Sequence, residues 1–248
     1  MRIGIIGHFG GNEKFNDGQT VKTVAIYDAL KRYGIEGIDK IDTYYIRRNP
    51  LRFLWQFMSG VFRDKKYIVL LSSNGRKVLF PILNFMSRFM NKDVYHYGIG
   101  GRLAREVSER PSWKKYVSSF KSNWMESTEL AERLQNLGVN NAIYLPNFKK
   151  LNIITEAELC TEYQEPYKLC TFSRVMEEKG IEDAIDAVRA INAEYGKTVV
   201  TLDIYGPAKE AYLKHLQEVL AQDSVCYYRG VVPANESVEA LKDYYALL

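Results

Sequence analysis

Arg174 and Lys179 lie five positions apart in FSRVMEEKGI (residues 172–181), a segment that joins a strand-like run to a helical one, with Gly180 next to the helix start. Two cations there, beside the open backbone N–H groups of a helix N-terminus, suit a diphosphate and the negative charge it gains when a bond to it breaks. The plainer reading is two solvated charges on a loop. A second candidate is GHFGGNEKFNDGQTVKT (residues 7–23). Its Gly10, Gly11 and Gly18 would let backbone approach a ligand, and Gln19 and Lys22 open the following helix, where an anion is favoured. Ordinary turn glycines in a long surface loop are the alternative. The spacing G-x-x-G-G is not the dinucleotide fingerprint G-x-G-x-x-G, and no acidic residue stands clearly at the expected distance, so NAD binding is a minor reading.

His96 sits in DVYHYGIGGRL (residues 93–103), near the end of a predicted strand, where its side chain could reach a ligand, and Gly98, Gly100 and Gly101 would allow close approach. A lone histidine on a strand is more often a packed residue. The run IRRNPLRFLWQFMSGVFRDKK mixes Arg47, Arg48, Arg52, Arg63, Lys65 and Lys66 with Phe53, Leu54, Trp55, Phe57 and Phe62. Such a helix can lie on an anionic membrane, or pack against a core with a solvated basic face. No RNP, KH or zinc pattern supports a nucleic-acid partner. Cys160, Cys170 and Cys226 are widely spaced, with Cys170 and Cys226 read as buried strand residues, as expected in a reducing compartment.

The elements that must position these residues alternate. Strand-like Arg2–Gly7 leads through the glycine-rich loop to a helix over 19–33. There follow IDKIDTYY, a helix over 50–62, a strand over 67–72, a helix over 77–90 and the strand containing His96. After a less regular stretch around 106–113 come YVSSFKSNWMEST, a helix over 128–137 and a strand over 142–147. A second cycle has strands over 167–173, 198–206 and 225–230, helices over 181–195 and 209–221, and a last helix from Glu236 that ends the chain. Alternation of this kind gives an α/β fold with doubly wound parallel sheets. The composition, 46% hydrophobic over 248 residues, can bury such a core. The absence of a long apolar run or a signal-peptide-like start points to a cytoplasmic protein.

The net charge of +4 hides a split: residues 1–150 hold 25 Lys and Arg against 13 Asp and Glu, and residues 151–248 hold 9 against 17. We therefore expect an N-terminal domain over 1–150, a linker over 151–166 and a second, incomplete domain over 167–248, the basic half facing an anionic partner.

With SRVMEEKGIEDAIDAV in view, the sequence resembles glycosyltransferase family 4, whose members share the GT-B fold of two Rossmann-like domains. Ser173 stands where the family usually has Gly, and Arg174 and Lys179 fall on its diphosphate-binding Arg and Lys. LDIYGPA is similar to the family's strand that ends in a glycine near the nucleotide, here Gly206. YYRGVVP is similar to the segment whose backbone holds the base, here Gly230 and Val231. The loop with Gly11, Gly18, Gln19 and Lys22 takes the place of the acceptor and phosphate loop, and His96 that of a residue near the transferred sugar. VEALKDYYALL resembles the helix before the family's glutamate pair, and that pair is missing. The resemblance thus implies a C-terminally truncated chain, inactive alone, from a retaining transferase that moves a sugar from a nucleotide diphosphate donor to a hydroxyl. A glycan or lipid-linked acceptor in bacterial cell-surface polysaccharide synthesis is expected, with peripheral contact at the inner face of the plasma membrane through the basic domain. No cofactor or metal is expected, since Arg174 and Lys179 would do a metal's work and no Asp-x-Asp pair occurs. The rivals are a nucleotide-binding module and an NAD(P)-dependent oxidoreductase.

Overall fold

Alternating strand and helix signals become two parallel sheets in the computed structural model, which describes residues 2–248 except 14, 16, 149–153, 159–161, 222, 234 and 235. The chain divides into two units, 1–150 and 151–248; part of the expected linker, and Cys160, fall outside the described residues. The first unit runs β1 (Ile3–Gly7), α1 (Gly18–Arg32), β2 (Ile38–Asp42), α2 (Tyr45–Arg48), α3 (Pro50–Arg63), β3 (Lys66–Leu70), α4 (Ser73–Phe89), β4 (Asp93–Gly98), α5 (Arg102–Glu109), α6 (Pro111–Ser119), β5 (Ser122–Met125), α7 (Thr128–Asn136) and β6 (Ala142–Tyr144). Its strands are parallel in the order β2-β1-β3-β4-β5-β6.

Every residue of β1 is buried, as a central parallel strand covered on both faces requires. Phe57, Leu79, Phe80, Leu83, Trp113 and Leu134 form the core on one face of this sheet. Ile5, Ile26, Leu70 and Tyr97 pack together in a second core. Side-chain caps fix where helices start: the Asp17 carboxylate accepts from the Gln19 and Thr20 amides, Ser72 from Gly75, Asn49 from Arg52 and Ser127 from Leu130. The stretch around 106–113, expected to be irregular, is instead two helices. Pro111 breaks the period but takes the first position of α6, where its missing N–H costs nothing.

The second unit runs β7 (Tyr167–Phe172), α8 (Ile181–Tyr195), β8 (Val200–Tyr205), α9 (Glu210–Leu220), β9 (Cys226–Gly230), α10 (Ser237–Leu241) and β10 (Ala246–Leu247), with parallel order β10-β7-β8-β9. The sequence implied three strands and a final helix; α10 stops at Leu241 and the chain adds a fourth strand. The Tyr245 amide donates to the Lys168 carbonyl and the Leu248 amide to that of Cys170. The Tyr244 hydroxyl donates to Asp203, and the Tyr245 ring lies against Tyr167. Sheet pairing and aromatic packing override the helical pattern of DYYALL. Cys170 and Cys226 are buried and unpaired, and burial pushes their thiols up to about 11 and about 12.

In each sheet the chain order reverses at one place, between β1 and β3 in the first and between β7 and β10 in the second. At such a point successive connections leave toward opposite faces and open a crevice at the carboxyl ends of the strands.

Candidate substrate sites at the two switch points

In the second unit the loops after β7, β8 and β9 are tied into one rim. The Ser173 amide donates to the Tyr205 carbonyl at 3.2 Å, Val175 to Pro207 at 3.0 Å, and Gly206 to Gly230 at 2.8 Å. The Tyr228 hydroxyl donates to the Gly206 carbonyl at 2.8 Å. Gly206 has φ +139°, and a Cβ there would stand 1.7 Å from the Ser173 carbonyl oxygen, so only glycine lets the loops meet. Buried Val175 and Ile181 pin the two ends of the Arg174–Gly180 segment. Gly180, at φ +64°, turns a short 3-10 segment into α8. Arg174 and Lys179 are left exposed, and among the described residues neither side chain has an ion pair or a hydrogen bond. Glu182 and Asp183 already occupy the first turn of α8, so attraction for an anion rests on these two cations rather than on the helix terminus. Gly230, at φ +81° with open space around it, and exposed Val231 complete the same rim.

In the first unit Asp42, the last residue of β2, clamps the glycine-rich loop. Its carboxylate accepts from the amides of Phe9 (2.9 Å), Gly11 (2.8 Å) and Tyr44 (3.0 Å). Gly11 is therefore a structural residue: its N–H is taken by Asp42, and a Cβ would meet the Tyr44 ring at 2.7 Å. The loop walls one side of a pocket of roughly 400 Å3, lined by His8, Gln19, Tyr44, Arg47, Ser72 and Asn74 among others, at the carboxyl ends of β1, β2 and β3. Gln19 donates to the Leu70 carbonyl at 3.0 Å, and Gly18 stays exposed with nothing near a would-be Cβ.

Hydrogen-bond accounting fixes the His8 tautomer. Thr20 donates its one hydroxyl proton to Asp17 at 2.5 Å, so the 2.6 Å contact between Thr20 Oγ1 and His8 Nδ1 needs Nδ1 to be the donor. In neutral His8, Nε2 is then a lone-pair acceptor. Burial works to raise the Asp17 carboxyl, but the Thr20 hydroxyl and amide outweigh it and hold the group below its usual range.

Two expectations are corrected. Lys22 is not a free cation at the loop: it is buried, paired with Glu126 and placed 4.6 Å from the Tyr97 ring centre. Burial drives its ammonium down to about 8. His96 is a core residue with no exposure, edge-on to Phe80 at 5.0 Å and 3.2 Å from the Asn123 side-chain oxygen. Burial, then nearby Arg76, press its pKa down to about 3. The alternation of β4 simply turns it inward, and it lines neither site.

Sequence reasoning did not single out Asp42, His8 or Arg76. Buried Arg76 bonds the Leu71 carbonyl at 3.1 Å and Glu106 at 2.7 Å, holding the pocket floor after β3 against α5. A signal existed for the first two, which are polar residues at the carboxyl ends of parallel strands.

No protein-family model and no curated protein matches the sequence. Solved structures do. The lipopolysaccharide outer core galactosyltransferase WaaB matches over 100% of this chain and 73% of its own, at TM-score 0.59 and 10% identity. The pneumococcal O-GlcNAc transferase GtfA, in complex with UDP and GlcNAc, matches over 79% of this chain at TM-score 0.52 and 14% identity. The chain has the GT-B fold of glycosyltransferases. A protein from Listeria monocytogenes assigned as a UDP-N-acetylglucosamine 2-epimerase matches this GT-B chain too, over 99% of it and 72% of its own length, at TM-score 0.54 and 12% identity. The fold alone therefore does not choose the reaction. The chain spans 39% of the length of GtfA.

Proposed function

We propose that this chain belongs to a retaining glycosyltransferase that binds a nucleotide diphosphate sugar on its second unit and a hydroxyl acceptor on its first. The observation that carries the reading is the pair Arg174 and Lys179, whose side chains have no ion pair or hydrogen bond among the described residues, on a rim where backbone hydrogen bonds tie three loops together. They hold the diphosphate and stabilise the charge that grows on it as the sugar–oxygen bond breaks, the part a divalent metal plays elsewhere. Gly206, Gly230 and Val231 shape the bed for sugar and base. The pocket after β1 and β3 takes the acceptor, and His8 Nε2 is placed to accept a hydrogen bond from its hydroxyl. GtfA, with the same fold and UDP and GlcNAc bound, supports a uridine nucleotide as the first donor to try. The basic first unit suits a glycan or lipid-linked acceptor carrying negative charge, as in cell-surface polysaccharide synthesis.

Calorimetric titration of UDP, GDP and NAD tests the donor site. UDP or GDP should bind, and Arg174→Ala or Lys179→Ala should weaken binding about tenfold or more. Affinity for NAD with none for UDP or GDP would overturn the reading. The epimerase match makes a second reaction worth separating: with the whole protein to which the chain is proposed to belong, NMR of a UDP-sugar incubated without acceptor would show conversion by an epimerase and none by a strict transferase. The same spectra, with acceptor present, report whether the anomeric configuration is kept.

A further inference from the structure

A second hollow of the first unit, of roughly 370 Å3, opens between α4 and α5. Its walls are Lys77 from α4, Arg102, Arg105, Glu106 and Glu109 from α5, and Arg110 just ahead of α6. The two carboxylates are already engaged. Buried Arg76 donates to Glu106 through Nε at 3.1 Å and Nη2 at 2.7 Å, and Arg105 donates to Glu109 at 2.7 Å. Lys77, Arg102 and Arg110 are exposed, and among the described residues none of the three has an ion pair or a hydrogen bond. Three cations from three parts of the chain thus share one hollow with no carboxylate left to match them.

Gathering like charges in this way costs the fold free energy that a bound anion would return. Burial lowers the Arg76 guanidinium from its usual range, Glu106 opposes that, and the Arg102 charge adds to it. The wall also holds a free donor. Ser73 accepts from Arg76 Nη2 at 3.1 Å, which leaves its own hydroxyl proton for a ligand. Asn74 lines both this hollow and the pocket after β3, so the two adjoin at the first turn of α4.

The chemistry of the walls selects among anions. A carboxylate is satisfied by a single guanidinium fork, whereas a phosphate group offers more oxygens and more charge, which suits cations arriving from several elements. Arg102 and Arg110 stand about 12 Å apart along the axis of α5, more than one phosphate group spans. Two linked phosphates, or one phosphate with the sugar that carries it, fill that length.

We infer that the hollow between α4 and α5 is a binding site for a phosphorylated ligand, held by Lys77, Arg102 and Arg110 and distinct from the place assigned to the donor diphosphate. It stands on the first unit and does not depend on the transferase reading. Where that reading holds, the shared Asn74 puts a phosphate carried by the acceptor glycan within reach of these cations.

Calorimetric titration with inorganic phosphate, pyrophosphate, glucose 1-phosphate and acetate tests it, in an Arg174→Ala, Lys179→Ala background so that the donor-site cations do not compete. The phosphates should bind, and acetate about tenfold more weakly. Lys77→Gln with Arg102→Gln and Arg110→Gln should weaken phosphate binding about tenfold or more, and Arg102→Gln alone, about threefold, gives the same reading if the triple variant folds poorly. Arg32→Gln with Arg88→Gln and Lys121→Gln removes the same charge from exposed positions elsewhere and should change affinity by less than about twofold. With Arg174 and Lys179 intact, the hollow variant should bind UDP as wild type does, which separates failure here from failure of the donor site. Glucose 1-phosphate binding more tightly than inorganic phosphate would assign the ligand to a sugar-borne phosphate, and a gain with pyrophosphate alone to a free polyphosphate. Absence of phosphate binding, equal losses in the two triple variants, or acetate binding as tightly as phosphate would overturn the proposal.

Discussion

The two switch-point loops answer the same topological problem in opposite ways. In the first unit the polar groups that shape the described part of the loop are matched within the fold. Asp42 takes three backbone amides, Asp17 holds Thr20 and through it His8, and Lys22 is matched by Glu126. In the second unit the backbone is tied as firmly, through Gly206 and Gly230, but the two cations are left over. A satisfied charge builds a site, whereas an unsatisfied one at the mouth of a crevice is free for a ligand. The difference explains why Lys22 and Lys179, both lysines near the start of a helix, carry different expectations.

The comparison breaks most sharply at Gly206. Gly206→Ala should abolish UDP binding and destabilise the second unit by about 4 kcal/mol or more, because its Cβ cannot coexist with the Ser173 carbonyl. Gly230→Ala is the control: its φ is positive but its surroundings are open, so about 1 kcal/mol is expected. Chemical denaturation and calorimetry read both, and equal effects would show that the rim is not closed as described. In the first unit, Arg76→Ala leaves Glu106 and the Leu71 carbonyl without their partner and should cost about 3 kcal/mol of stability. Arg174→Ala and Lys179→Ala should do the reverse: in the whole transferase proposed above, turnover falls by about two to three orders of magnitude, while the thermal midpoint stays within about a degree of wild type. A large fall in their melting temperature would place them among the building residues.

Much of this was legible in the sequence because it is local. Helix α8 is bounded by Gly180 and Gly196, both left-handed in the structure, and the hydrophobic period between them is unbroken. The SRVMEEKG segment puts Arg174 and Lys179 in a strand-to-helix loop by spacing alone. What stayed hidden is long-range. Asp42 meets Gly11 across 31 positions, and Arg76 meets Glu106 across 30. No spacing rule reports such pairs, and only the parallel register brings them together. β10 was hidden because two residues of strand have too little sequence to show a period. His96 shows the converse, since a histidine near glycines on a strand reads the same whether it faces a ligand or the core.

The smallest effects concern two buried titrating groups of the first unit that push stability in opposite directions. Burial, then Arg76, hold His96 down near 3, whereas in the unfolded chain it titrates near about 6.5. Below that value the unfolded chain takes up a proton the folded chain refuses, so stability falls as pH drops from about 6.5. Asp64 is raised to about 6, by burial first and by the adjacent Asp39 carboxylate second, against Arg2 and Arg63. Here the folded chain keeps a proton the unfolded chain loses above about 4, so stability falls as pH climbs from about 4 to about 6 and remains lost above. Between those limits the two trends offset each other in the wild type. Asp64→Asn removes the second, and its thermal midpoint should exceed wild type by a few degrees at pH 7.5 and decline steadily as pH falls to 4.5. His96→Gln keeps a partner for Asn123 without titrating, and its midpoint should rise as pH falls from 6 to 4.5. Melting curves of the three proteins across this range decide the matter: parallel profiles would mean that neither group titrates in the folded chain as its surroundings require.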